Sequence, residues 1–507
     1  MHLQKKKNKS GSTSVQIRQR VAAGSKLVKT IGCSCDALVI EQLMIKGKHE
    51  ITRLIGQHPI NFDALKEKEL VDVFFNRIEG VSLIGPELVL GKLFDEIGFN
   101  AITEDLFRHL VITRLVYPVS KLKTTDYLFK YKGVIVTVDA IYRYLDKLQK
   151  EQIEQIQKIS LAHTLKILDN ALSVVFYDVT TLYFEAADED DLRKTGFSKD
   201  GKHQQPQIVL GLLVSAGGYP LDYNIFEGSK YEGDTMLPVL EYFEKKYTHS
   251  KLIVVADAGL LSNKNIQQLI EKQYEFILGA RIKNETEAIK KLILELVLTD
   301  GGSHLIEKEN KHRLIISYST SRGKNDAHNR KRGIAKLEKA LNNGKLNKKH
   351  INNKGYNKYL KLEGEVSISI DYEKYEDDAK WDGLKGYLTN TNLAKEEVIN
   401  QYRQLWNIEK TFRISKSDLR IRPIYHHLKR RIESHICISF VACKIYKELE
   451  RQLKIKNCSI SAEKVIDILK TIYQLTITTP YSNSKHTRLL VKNQEQELII
   501  NLFELKI

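Results

Sequence analysis

From Ser173 to Ile282 the apolar residues stop recurring every three or four positions and fall into short alternating or continuous blocks between turn residues. This change of period constrains the fold more than any other feature of the chain. The block "SVVFYDVTTLYFE" reads as a strand. "PQIVLGLLVSAGGYPLDYNIFEG" reads as two strands joined at Gly217-Gly218, a hairpin signal. "DTMLPVLEYFEKKY" is helical, "KLIVVADAG" a fully apolar strand, "SNKNIQQLIEKQ" a helix capped by Ser262, and "YEFILGARI" another strand. The order β-β-β-α-β-α-β predicts a mixed α/β sheet whose later strands are parallel.

The flanking regions are of other kinds. At 507 residues the chain has room for two to four domains. Residues 1–20 are polar and basic and are expected to form a flexible arm, one that contacts DNA phosphates. The following region, to 170, is expected to be mainly helical: "GPELVLGKLFDEIGF", "TEDLFRHLVITRLVYP" and "AIYRYLDKLQKEQIEQIQKISLAHTLKIL" carry apolar residues at helical spacing. Near 100–147 two readings stand side by side, a helix-turn-helix and amphipathic helices packed on one another. Regularity lapses over 284–380, where Glu307 to Lys361 holds 16 Lys or Arg against 4 Asp or Glu. "WDGLKGYLTNT" then looks like one more strand. Two helices follow, "EEVINQYRQLWNIEKTFRISKSDL" and, after Arg422-Pro423, "HHLKRRIESHICISFVACKIYKELE"; residues 451–507 are mixed.

Composition narrows the partners. Lys plus Arg (80) exceed Asp plus Glu (63), giving a net charge of +17, which points to a polyanion such as nucleic acid rather than to a membrane surface. No apolar run approaches the ~18 residues of a spanning helix, and the lysine-rich start is not followed by a signal-type segment. A soluble intracellular protein is expected. The five cysteines are odd in number and form no CxxC unit, so neither a disulfide framework nor a zinc site is indicated.

Three carboxylates stand out by position. Asp178 sits mid-strand, Asp257 ends an apolar strand before a segment with glycine, and Glu409 lies in a late basic helix. Each alone has an ordinary explanation, a cap, a turn or a solvated face. Together they place carboxylates where α/β sheets build their sites, and a buried carboxylate is costly without a compensating cation. Hard oxygen ligands without neighbouring His or Cys favour Mg²⁺ or Mn²⁺. On an ideal helix Arg413, Lys416 and Arg420 follow Glu409 along one face, beside an apolar stripe of Leu405, Ile408 and Phe412. Helix ion pairs account for Glu409-Arg413 but leave Lys416, Arg420, Arg422 and the Lys429, Arg430 and Arg431 of "HHLKRR" without acidic partners, an arrangement suited to a phosphodiester. Trp406 is expected to pack in the core rather than to stack on a base.

These residues resemble a known family. The motifs "FYDVTTLYFE", "VVADAGLLSNKNI", "FILGARIKN" and "YRQLWNIEKTFRISKSDLRIRPIYHHLKRRIESHI" are similar, over about 170–445, to the RNase H-like core of DDE transposases from bacterial insertion sequences, with the nearest likeness to insertion-sequence family four and its sixteen-thirty-four-type relatives. The family's Tyr-x2-Arg-x3-Glu-x6-Lys signature is matched by Tyr402, Glu409 and Lys416, while its arginine position is Leu405. The resemblance implies a catalytic core over 171–283 and 381–450, interrupted by a basic, β-rich insertion at 284–380, and a DNA-binding or dimerisation role for 21–170. It also implies a homodimer on terminal inverted repeats and target DNA, a bacterial cytoplasmic setting, and a phosphate-positioning role for Tyr402.

The expected chemistry is that Asp178, Asp257 and Glu409 hold two Mg²⁺ (or Mn²⁺) ions and drive in-line displacement at phosphorus, first by water and then by a DNA 3′-hydroxyl. Lys416 is expected to hold a DNA-end phosphate, assisted by Arg413 and Arg420. A nuclease of the same fold that cuts without joining, and a non-catalytic DNA-binding derivative, are the rival readings.

Overall fold

The computed structural model describes all residues except 23, 56–68, 70, 199–200, 247–251, 261, 309–311, 354, 364–366, 480–483 and 506–507. The chain divides into two units, one of residues 1–80 with 475–487, the other of 81–474 with 488–507.

In the first unit the expected flexible arm is replaced by an antiparallel three-stranded sheet, His2–Lys7, Thr13–Val21 and Gly24–Ser34, followed by a helix over Ala37–Leu54. The physical reason is a period-two pattern hidden among the lysines. In "TSVQIRQRV" Val15 and Ile17 point inward and are fully buried, and Asn8 ties the preceding turn by donating to the Ser12 and Ser14 hydroxyls. Helix begins at Ala37, so residues 21–36 are not helical.

In the second unit helices run from Lys92–Ile97 to Lys150–Ile167, two of them closed by glycines in the left-handed region, Gly98 and Gly133. They are not a separate module. The 27-residue helix Lys429–Ile455 is buried on almost every side from Ile432 to Leu449, and it packs on the helices Asp105–Val116, Val138–Lys147 and Lys150–Ile167. It is a central helix of the core even though His435, Lys444, Lys447 and Glu448 are among its buried residues.

The sheet has eight strands, numbered here along the chain: β1 Val174–Tyr183, β2 Gln207–Ser215, β3 Pro220–Glu227, β4 Ile253–Ala256, β5 Glu275–Ala280, β6 Ser303–Glu307, β7 Arg313–Tyr318 and β8 Leu384–Thr389. Their spatial order is β6-β7-β8-β5-β4-β1-β2-β3. β1, β4 and β5 are mutually parallel, and the other neighbours are antiparallel. The β2–β3 turn uses Gly217 and Gly218, both with φ near +80°, as the hairpin signal requires. Both faces are covered. Val175, Tyr177, Val254 and Ala256 face the helices Met236–Lys246 and Asn263–Glu271, whereas Phe176 and Val255 face the core shared with Lys429–Ile455.

The 284–380 segment departs from the β-rich expectation. It contains helices Glu287–Glu295, Thr320–Asn342 and Tyr372–Ala379, which outweigh its strands β6 and β7 and the short pair Leu360–Glu363 with Ser367–Ile370. Its longest helix is so polar that only Ile334, Leu337 and Leu341 mark the buried face, too sparse a stripe to read in the sequence. These residues form a small core with Tyr359, Leu360 and Ile370. Replacing Leu337 by Ala is expected to cost about 2–4 kcal/mol locally. Hydrogen exchange should then quicken over 320–342, 355–363 and 367–370 but not in β1, β4 or β5.

Candidate active site

The site is built from the parallel pairing of β1 and β4. Tyr177 is level with Ala256 in the ladder, so Asp178 and Asp257, the next residue of each, stand at one level on neighbouring strands. Side chains alternate along a strand, and both aspartates continue the Phe176 and Val255 face. Asp178 is only half-buried in an otherwise buried run, and its Oδ1 accepts the Val179 backbone N–H at 2.7 Å. The cost of placing a carboxylate in this strand is therefore smaller than its apolar setting in the sequence suggests.

Tyr402 joins the second aspartate to the third carboxylate. It ends the helix Lys395–Arg403, is buried against Tyr387 in an edge-to-face pair, and donates its hydroxyl to Asp257 Oδ1 at 3.0 Å. Burial, then the nearby Asp257 and Glu409 carboxylates, push the phenol well above its ordinary pKa, so it stays a donor. Gly279 of β5 makes room for it: a Cβ there would lie 2.4 Å from the phenol oxygen and 2.9 Å from the Ala258 nitrogen.

Glu409 lies in the first turn of a separate helix, Trp406–Arg413, packed over β1 by Ile408 and Phe412. The Thr411 hydroxyl, 2.8 Å from Asn407 O one turn back and 3.0 Å from Gly218 O, shares its proton between this helix and the hairpin turn. A lysine outside the sequence-derived set completes the constellation. Lys385 of β8 holds its ammonium 4.4 Å from the Tyr402 ring centre, and both Asp257 and Glu409 act on it electrostatically. Burial, and then Arg322, lower its pKa, while the two carboxylates oppose the shift. The signal that marks Asp178 could have found Lys385, since it too is a single charge in the strand "LKGYLT". A groove of about 890 Å³ opens from Asp257 and Tyr402 past Lys385 and Arg281 toward Arg322 and Arg330 of the insertion.

The basic residues sort differently from the sequence expectation. A single helix does not run through Glu409 to Arg420. The helix breaks at Gln404-Leu405, before Glu409; beyond Arg413 the chain passes into a π-turn over Ile414–Asp418 and reaches Arg420 at φ +46°, so Lys416 and Arg420 leave the face that ideal spacing draws through Glu409 and Arg413. Arg413 is exposed at the helix end and acts on Asp418; Lys416 is half-buried in the π-turn. Lys429 is exposed beside Glu433. Arg430 and Arg431 do have an acidic partner: Arg431 holds Asp146 through two bonds of 2.8 Å and Arg430 adds a third at 2.7 Å. Sequence reasoning missed this because Asp146 lies on the far side of 283 intervening residues. Trp406, expected in the core, is 57% exposed, with Lys410 6.0 Å from its ring centre.

Among the described residues no group of three or more His, Cys, Asp or Glu stands at metal-holding distance. What the structure provides is two aspartates at one level of the sheet, a glutamate on the helix packed over the first of their strands, and one ammonium that Asp257 and Glu409 act on electrostatically. Carboxylate oxygens are the donor type that a hard divalent cation prefers.

Residues 169–443, more than half of the chain, match a family model described as "Transposase DDE domain". Among solved structures the chain is similar to a piggyBac transposase synaptic complex with hairpin DNA, at 10% identity over 72% of this chain and 69% of that one, with a TM-score of 0.39. It is also similar to a Mos1 transposase paired-end complex with the left transposon end, at 12% identity over 31% of this chain, with a TM-score of 0.16. It spans about half (53%) of that Mos1 chain. No curated protein matches.

The Arg430-Arg431-Asp146 cluster yields a stability prediction. Hydrogen bonds from Arg431 and Arg430 hold the Asp146 carboxyl well below its ordinary pKa. A depressed acid pKa stabilises the fold above the unfolded value near pH 4 and loses that contribution as the pH falls through the folded value. Asp146→Asn should therefore cost about 1 kcal/mol at pH 7, a partly solvated pair being worth no more, and the deficit should shrink steadily below pH 4 in denaturant titrations.

Proposed function

Because this chain belongs to the transposase DDE domain family, a family of polynucleotidyl transferases and nucleases, we propose that it cuts DNA at the ends of an insertion sequence and joins those ends to target DNA. On this reading the sheet is an RNase H-like core, and Asp178, Asp257 and Glu409 form its catalytic carboxylate set. The register that sets Asp178 level with Asp257, beneath the Glu409 helix, is the observation that carries the reading.

Asp178, Asp257 and Glu409 would hold Mg²⁺ or Mn²⁺, two ions per site. When bound, such ions lower the pKa of an attacking water or 3′-hydroxyl and neutralise charge at phosphorus. The chain's own groups prepare that chemistry. Tyr402 fixes Asp257 through one carboxylate oxygen; its raised pKa makes it a positioning donor rather than a nucleophile. Lys385 offsets the charge of Asp257 and Glu409, which keeps two exposed carboxylates close at tolerable cost. Lys416, with Arg413 and Arg420 on the turn beyond the Glu409 helix, is proposed to contact the phosphates of a DNA end. Arg430 and Arg431 leave that set, since Asp146 engages both. A homodimer assembled on terminal repeats belongs to the same proposal.

Pre-cut element ends incubated with target DNA and Mg²⁺ test the assignment. Joining by the wild type should fall by roughly 100-fold or more in Asp178→Ala, Asp257→Ala and Glu409→Ala while DNA binding persists. Joining that survives Asp257→Ala, or cutting without joining by the wild type, would count against it.

A second test addresses Tyr402. Gly279→Ala should push the phenol off Asp257 and lower joining by roughly tenfold or more. The double variant with Tyr402→Phe should lose less than the two single losses combined, because both changes remove the Tyr402–Asp257 bond and only the contact of the new Cβ with the Ala258 backbone is added. Full activity in Gly279→Ala would contradict the role given to the hydrogen bond.

A further inference from the structure

Away from the carboxylates, the second unit buries a cluster of basic side chains. Arg114 lies in the last turn of Asp105–Val116 and Lys121 at the first position of Lys121–Lys132. His426 follows the turn beyond the Glu409 helix, and His435 lies on the long helix. Arg114 is 7% exposed, Lys121 8% and His435 6%, and the two histidine rings lie 5.3 Å apart. Arg114 acts electrostatically on Lys121, and both cations act on both histidines.

Among the described residues no carboxylate pairs with Arg114 or Lys121, and Asp146, on the adjoining surface, is engaged by Arg430 and Arg431. Arg114 reaches only Leu419 O at 3.4 Å, Arg420 O at 3.5 Å and His435 Nδ1 at 3.4 Å, all longer than a good N–H···O bond. His435 donates Nε2–H to Ile421 O at 2.9 Å, so its Nδ1 is an acceptor and the ring is neutral. The lysine also stands at the positive end of a helix dipole, the wrong end for a cation. A guanidinium stays charged in proteins, and a buried, unpaired charge is costly. Burial brings Arg114 down to about 10 and Lys121 well below its ordinary value, the strain expected of cations lacking an anion.

We propose that Arg114, Lys121 and His426 form an anion site that takes a phosphate group, with His435 fixing the guanidinium. A tetrahedral oxyanion supplies what the cluster lacks: two charges, short acceptors for the guanidinium fork, and further oxygens for the ammonium and imidazole. The ligand is either free inorganic phosphate or the terminal phosphate of a DNA strand. The site stands on its own residues and does not depend on the catalytic reading. It adjoins the Leu419–Ile421 turn, so occupancy would brace the segment that follows the Glu409 helix.

Full-length protein titrated calorimetrically with sodium phosphate, with chloride matching the ionic strength, tests the proposal. Phosphate also stabilises proteins unspecifically, so an exposed-lysine variant, Lys123→Met, is the control. Wild type and Lys123→Met should bind phosphate saturably, and Lys121→Met and His426→Gln at least tenfold more weakly. In chloride Lys121→Met should melt no lower than wild type, because it removes an unpaired charge. Competition by a 5′-phosphorylated duplex, but not by the same duplex without the phosphate, would identify a DNA end as the source; its absence would identify the free anion. Non-saturating heats, equal affinity in Lys121→Met, or marked destabilisation of Lys121→Met in chloride would each overturn the proposal.

Discussion

A parallel strand pair fixes level as well as proximity. Because β1 and β4 run in the same direction with Tyr177 opposite Ala256, the residues that follow are held side by side on one face with no further device. The hairpin β2–β3 buttresses β1 on one side, and its Gly217-Gly218 turn receives the Thr411 hydroxyl of the Glu409 helix. On the other side β5 carries the missing side chain of Gly279, through which Tyr402 reaches Asp257. The two helices that carry Tyr402 and Glu409 are thus tied to opposite flanks of one strand pair.

Much of this frame is legible in the sequence, because strands buried on both faces read as continuous apolar blocks and short helices fill the crossovers. The order from Ser173 to Ile282 and the positions of Asp178 and Asp257 follow from that pattern. What the sequence hides is of two kinds. Local irregularity is one: the π-turn after Arg413 takes Lys416 and Arg420 off the helical face that ideal spacing predicts. Long-range pairing is the other, as with Asp146 and Arg431, or Asp257 and Tyr402, whose partners are identifiable only in the fold. The sheet at the start of the chain escaped notice because two apolar positions in a basic strand give too weak a period.

The excess positive charge is spread over distinct tasks. Some cations are structural, such as Arg330 bound to Asp382 and Lys358 bound to Asp378 in the insertion. Lys385 is set against the carboxylates themselves. Among the described residues Arg114 and Lys121 are buried without carboxylate partners, which is unusual enough to imply an anion. Net charge alone therefore overstates the surface offered to DNA.

The claim on which the rest of the functional account depends is that three carboxylates from β1, the end of β4 and the Glu409 helix converge on metal. Anomalous scattering from crystals soaked in Mn²⁺ reads this directly. The account predicts peaks coordinated by oxygens of Asp178, Asp257 and Glu409 together, lost in Asp257→Asn crystals. Manganese bound elsewhere, or held by the two aspartates with Glu409 turned away, would contradict it.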